Sequence, residues 1–449
     1  MSNDEAKRPW LPSTVAQFYE EYATRYRAFA PGDFEVEAEK LLEAHERFMD
    51  RECISLYAGT NIMNPRAARF QSASVGSRPS LGYPGDKYET GLAYAEQLEI
   101  MTVEIIRKIF KCEYVEFRVG RGSLANLYAY MACTQSGDLI MALSDSAAGH
   151  VTHHSEGAAG LYGLNVHDVP FDGERMAVDL AALEQEAKRI QPKLIILGGS
   201  LALFPYPVRD ARKIADEVGA YLMFDAAHLS GIIAGGEFQQ PLAEGAHLIT
   251  CSTYKSFGGP AGGLVLTNST ELAQKLDKIA YPGLTANFDL SRTAALLVAA
   301  ADILEFGLEY ARTCIANAQR LAQELAEGGC SVQAAPGRSP NIFTMSHHVA
   351  IQAAPYGGGT TASRHLEKAN ILTSGIGLPL PPVPGDFNGL RIGTQEITRW
   401  GMQPEDMPEL ARLICRVLVQ NEPPTSVKPD TLKMRQRFQE LHFVRTTKL

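Results

Sequence analysis

LITCSTYKSFGGPAGGLVLTN, Leu248 to Asn268, holds a pair of apolar, strand-like runs, LITCSTYK and GGLVLTN, joined only by SFGGPAG. A parallel crossover takes about a dozen residues or more, so one of these strands must run antiparallel to its neighbour. The same stretch sets a single lysine, Lys255, among Thr253, Tyr254 and Ser256, where an apolar run should end. Upstream, YVEFRV, DLIMAL, LNVHDVP, KLIILGG and AYLMFDAAH read as further strands, several separated by helix-length segments such as LANLYAYMA, LAALEQEAKRI and VRDARKIADEV. Apolar strands alternating with amphipathic helices imply an α/β fold: a mainly parallel, mixed sheet of seven strands, covered on both faces.

That sheet is assigned to a large domain over residues 67–300. Residues 1–66 read as a polar, helical N-terminal arm. Residues 301–420 read as a smaller C-terminal α/β domain, opened by ILEFGLEYARTCIANAQRLAQELAEG and closed by DMPELARLICRVLVQ, with an extension over 421–449. With 449 residues, 45% of them hydrophobic, the chain can bury a substantial core. A formal charge of -9 argues against nucleic acid as a main partner and favours a small molecule. The 7 cysteines are scattered without a C-x-x-C pair, which fits a reducing compartment and no structural metal. With no signal-peptide pattern at the start and no apolar run long enough for a membrane span, the chain reads as cytoplasmic.

Strand YVEFRV enters V-G-R-G-S-L-A-N, in which Gly120, Gly122 and Ala125 satisfy the dinucleotide pattern G-x-G-x-x-A. Any strand-to-helix turn that holds an anion on backbone N–H groups favours the same residues, so a phosphate monoester fits Gly122 and Ser123 equally well. The following strand ends in LSDSAAGH, with no isolated acid placed for a ribose. Asp225 ends AYLMF, where a carboxylate is costly unless paired. Taken singly, Asp225 and Lys255 would be satisfied ion pairs or strand tips. Together with an anion loop they match what pyridoxal phosphate needs: a lysine for its aldehyde, an acid for its ring nitrogen and a phosphate cradle.

Ordered motifs then carry a resemblance. R-G-S-L-A-N, GHVTHH, MFDAAHLSG, STYKSFGGPAGG and GLRIGTQEITRWG resemble segments of the serine hydroxymethyltransferase family, in the aspartate-aminotransferase-like class, over about residues 54 to 418. The resemblance implies that Lys255 binds the cofactor aldehyde, Asp225 its ring nitrogen and Gly122 with Ser123 its phosphate. It implies His150 stacked on the ring, Ser200 and His228 near the phenolic oxygen, and Arg391 on the substrate carboxylate. His153 and His154 are left as packed or exposed residues. Gly59 and Tyr254 stand on the substrate side, where the family has serine and histidine.

The departures cluster on that side. GYPG anchors P-S-L-G-Y-P-G-D-K-Y-E, which puts Leu81 at the family's catalytic glutamate, Pro79 at its first tyrosine and Glu89 at its last. In the family this segment comes from the neighbouring subunit, which implies at least a homodimer. Glu89 is then an acid or base, a ligand for a cationic substrate group, or a surface ion pair. The expectation is a folate-independent aldol reaction on a β-hydroxy-α-amino acid such as 2-methylserine, with His150, His228 or Glu89 as base. β-Elimination, decarboxylation and a specialised transaldolase are the alternatives, followed by a folate-dependent hydroxymethyltransferase or an NAD(P) oxidoreductase.

Overall fold

A computed structural model describes residues 8, 10–337 and 342–445. The chain divides into two compact units, Met1–Cys53 and Ile54–Leu449. In the first, helices Ser13–Tyr26 and Pro31–Glu46 carry no buried residue and are bridged by Arg25 and Glu37 at 2.7 Å.

The second unit is built on seven strands: β1 (Tyr114–Val119), β2 (Leu139–Ala142), β3 (Asn165–Asp168), β4 (Leu194–Gly198), β5 (Tyr221–Asp225), β6 (Leu248–Ser252) and β7 (Gly263–Thr267). Their order is β1-β7-β6-β5-β4-β2-β3. Neighbours from β6 through β3 are parallel, while β7 runs antiparallel to both β6 and β1. The short SFGGPAG link thus closes the reversed strand, as the loop length requires. Every residue of β4, β6 and β7 is buried, the mark of strands covered on both faces. Helix Val208–Val218 shows how the cover forms: Val208, Ala211, Ile214 and Ala215 recur at helical spacing and turn inward, while its charged residues face out.

The 38-residue helix Leu290–Glu327 runs from the large-sheet region into the smaller one. There, β8 (His348–Gln352), β9 (Ser374–Ile376) and β10 (Gly389–Gly393) form an antiparallel sheet in the order β8-β10-β9. Residues Ile54–Ser55 pair with Ile371–Leu372, so the chain just after the first unit is stitched into this smaller core. The tail forms helix Pro424–Arg435 and then returns, where Arg445 N donates to Asp302 Oδ1 at 2.7 Å. Among the described residues no helix is long and apolar enough to cross a membrane.

Candidate active site

Parallel strands all deliver their carboxyl ends to one rim, where ligands bind in such folds. Here β2 leads to His150, β4 to Ser200, β5 ends on Asp225 and leads to His228, and β6 leads to Lys255. These residues meet Arg391 of β10 around a cavity of about 520 Å³. Gly59, His150, Ser200, His228, Tyr254, Lys255 and Arg391 all line it, with Tyr57 and Phe387 added. Asp225, Gly122, Ser123 and Glu89 do not line the cavity.

Lys255 is only 7% exposed, and its Nζ lies 2.9 Å from His228 Nε2. Burial pulls the ammonium down to about 8, with Arg391 adding to the fall and Asp225 opposing it. His228 Nδ1 sits 3.1 Å from the Ala58 carbonyl, which only accepts; the proton is therefore on Nδ1 and the lone pair on Nε2. Burial, then the charges of Lys255 and Arg391, hold His228 well below its ordinary value, so it stays neutral.

Arg391 faces Ser374 across the β9–β10 ladder, and its Nε and Nη2 donate to Ser374 Oγ at 3.2 and 3.1 Å. Its Nη1 donates to the Ser200 carbonyl at 2.6 Å, tying the small sheet to the end of β4. No carboxylate pairs with this buried guanidinium among the described ion pairs, which leaves it a cation in want of an anion. Burial lowers it to about 10, still charged at neutral pH.

Beneath the cavity, Asp225 is 1% exposed and held by three donors: Ala227 N at 2.8 Å on Oδ1, with Asn126 Nδ2 at 3.1 Å and His153 Nε2 at 2.8 Å on Oδ2. Burial alone would raise its carboxyl, but the hydrogen bond and charge of His153, with His150 and Ala227, hold it well below the usual range. His153, read as packed or exposed, is packed, and it also holds Asp225. Tyr130 Oη lies 2.5 Å from its other nitrogen, completing a buried chain. The missed signal was in GHVTHH itself, which sets His153 three residues after His150 on a single short turn.

Gly122 opens the helix Gly122–Cys133, and a Cβ there would stand 2.1 Å from Ser252 Oγ at the end of β6. Only glycine lets the helix start approach so closely, and the first-turn N–H groups of Gly122 and Ser123 have no partner among the described residues. Gly258, at φ +72°, turns the chain back after Lys255, and a Cβ there would meet the buried Arg399 guanidinium at 2.7 Å. The glycine run behind Lys255 is a packing requirement.

Glu89 is half-buried and its Oε2 accepts from Leu81 N at 3.0 Å, closing the loop that carries both. Lys87 and Glu99, each 2% exposed, form an ion pair at 2.8 Å under the same loop. Gly59 packs under Tyr57, whose ring tip would lie 2.9 Å from an added Cβ.

The fold and the cavity define an enzyme that handles an amino acid, with a buried amine on one wall and a buried guanidinium on another. The family model for serine hydroxymethyltransferase matches residues 33–414, and the chain belongs to that family. It is 46% identical over 438 residues to an alpha-methylserine aldolase of Ralstonia, covering 98% of this chain and 99% of the relative. A second alpha-methylserine aldolase, from Variovorax paradoxus, is 48% identical over 412 residues, 92% of this chain and 93% of the relative. A serine hydroxymethyltransferase of Methanopyrus kandleri is 37% identical over 406 residues, 90% and 94% of the two chains.

Proposed function

We propose that the protein is a pyridoxal-phosphate-dependent, folate-independent aldolase whose substrate is 2-methylserine, cleaved to alanine and formaldehyde or formed from them. The observation that carries this reading is the division of the site. The Lys255, Asp225 and Arg391 constellation is complete, while Leu81 stands where the family places the glutamate that moves protons.

The residues present fit the cofactor. Lys255 is a buried amine whose depressed value makes a neutral nucleophile accessible near pH 8. Asp225 is a fixed anion for a protonated ring nitrogen, and Gly122 with Ser123 offers free helix-start amides to a phosphate. When bound, the cofactor supplies the sink for the electron pair released as the Cα–Cβ bond breaks. The chain's own residues do the rest. Arg391 takes the carboxylate with its planar fork. His228 Nε2 accepts a hydrogen bond from the Lys255 amine and orients it. Gly59 and Tyr57 shape the wall beside Arg391.

Leu81 cannot move a proton, so the folate side has no acid at that position. Two such subunits, each lending its Pro79–Glu89 loop to the other, make the working unit we favour, a homodimer. Seven cysteines, none of them in a disulfide, suit a reducing, cytoplasmic setting. The test is product analysis: 2-methylserine should yield alanine and formaldehyde without tetrahydrofolate, and serine turnover that depends strictly on folate would overturn the reading.

A further inference from the structure

A chain of hydrogen bonds runs from Asp225 to His150, and the chemistry of each partner fixes its direction. A carboxylate only accepts, so the atom of Asn126 that lies 3.1 Å from Asp225 Oδ2 must be its amide nitrogen. The amide oxygen then accepts from Thr250 Oγ1 at 2.7 Å. The same nitrogen donates its second proton to Thr152 Oγ1 at 2.8 Å. The Thr152 hydroxyl, already an acceptor on that side, turns its own proton to His150 Nδ1 at 2.8 Å. The Thr152 backbone N–H reaches the same ring atom at 3.2 Å.

A nitrogen facing two donors carries no proton of its own. Neutral His150 is therefore protonated at Nε2, which has no hydrogen-bond partner among the described residues. His150 lines the cavity. The local turn does not demand all of this. Capping of Val151–His153 is served by the backbone bond alone, and the Thr152 hydroxyl and Asn126 are additional.

We propose that Thr152 is a positioning residue that, fed by Asn126 on Asp225, locks His150 in the tautomer presenting Nε2–H to the cavity. His150 then gives a hydrogen bond to the substrate's β-oxygen and does not take its proton, a consequence that rests on the aldolase reading above. Of the histidines on the cavity wall, His228 is the one left with a lone pair facing inward. The device links the carboxylate under the cofactor site to the residue above it through two side chains.

The test reads the tautomer directly. Two-bond ¹H–¹⁵N correlation spectra of histidine-labelled protein, with and without pyridoxal phosphate, would be assigned for His150 by comparison with H150Q. The expected wild-type pattern is a protonated Nε2 and a bare Nδ1. Thr152→Ser should keep it, and Thr152→Val should show a population protonated at Nδ1. Turnover of 2-methylserine should fall roughly tenfold in kcat in the valine variant with KM little changed, and recover in the serine variant. A wild-type ring protonated at Nδ1, or a folded valine variant with an unchanged tautomer, overturns the proposal. If the valine variant does not fold, the wild-type spectrum alone decides the tautomer. If wild-type protein does not turn over 2-methylserine, the aldolase reading fails while the spectra still decide the tautomer.

Discussion

The floor of the cavity and its outer wall are built to different rules. On the floor, Asp225, Asn126, His153, Thr152 and Thr250 are buried, and each is fixed by partners on other elements. On the wall, Tyr57 and Phe387 are exposed by more than a third, and Gly59 offers no side chain at all. A buried polar group left unpaired costs about 1–3 kcal/mol, so any change on the floor must be compensated at several positions at once. A half-exposed residue carries no such penalty.

The sharpest way to break the comparison is Lys255→Met, which should abolish turnover and the pyridoxyl label left by borohydride reduction. Lys255 also makes a thermodynamic prediction. Its folded value of about 8 lies below that of a free lysine, so the unfolded chain binds the extra proton between about 8 and 10.4. Stability of the cofactor-free protein should rise with pH across that window. Lys255→Met should raise its melting temperature at neutral pH by an amount corresponding to on the order of a few kcal/mol. A melting temperature that falls would mean the amine is better solvated than its burial indicates.

Next in size is Asp225→Asn, with an expected loss on the order of 100-fold in kcat. Because its carboxyl is depressed in the folded state, the ion stabilises the protein above about pH 4, and that contribution is lost as pH falls through the folded value. The variant should therefore be less stable than wild type at neutral pH and converge with it in acid. Equal stability at pH 7 would show that the floor tolerates change as the wall does.

Arg391→Lys stands between the regions, since its guanidinium is anchored on Ser374 and Ser200 but lines the cavity. Losing a bidentate contact should cost about 1.5–3 kcal/mol, read as a KM raised roughly 10- to 100-fold with cofactor occupancy unchanged. Spectral titration with 2-methylserine measures it. The smallest effect is expected on the wall. Gly59→Ser pushes on the tip of the Tyr57 ring, a flexible neighbour, and should change kcat/KM for 2-methylserine by less than about fivefold. A 100-fold loss there would erase the contrast.

Much of the molecule was legible from short-range pattern. Each of the seven strands lies within a segment read as a strand from the sequence, the polar edge strand β3 included, and the seven-residue link forecast the one reversed strand. Lys255 and Asp225 stood out because charge at the end of an apolar strand is locally anomalous. His153 did not stand out, since nothing beside it in the chain reveals that it will face a carboxylate 72 residues away. Glu89 was visible as a substitution, but its bond to Leu81 N was not.

By itself, then, the sequence determined the element types, the sheet's mixed sense and the candidate groups Lys255 and Asp225, because periodicity, loop length and residue chemistry are local properties. Tertiary structure alone decided how those groups behave. Burial sets Lys255 near 8, the Ala58 carbonyl sets the proton on His228, and Ser200, 191 residues away in the chain, anchors Arg391. Protonation state and hydrogen-bond direction depend on desolvation and on distant partners, and both come into being only when the chain has closed around them.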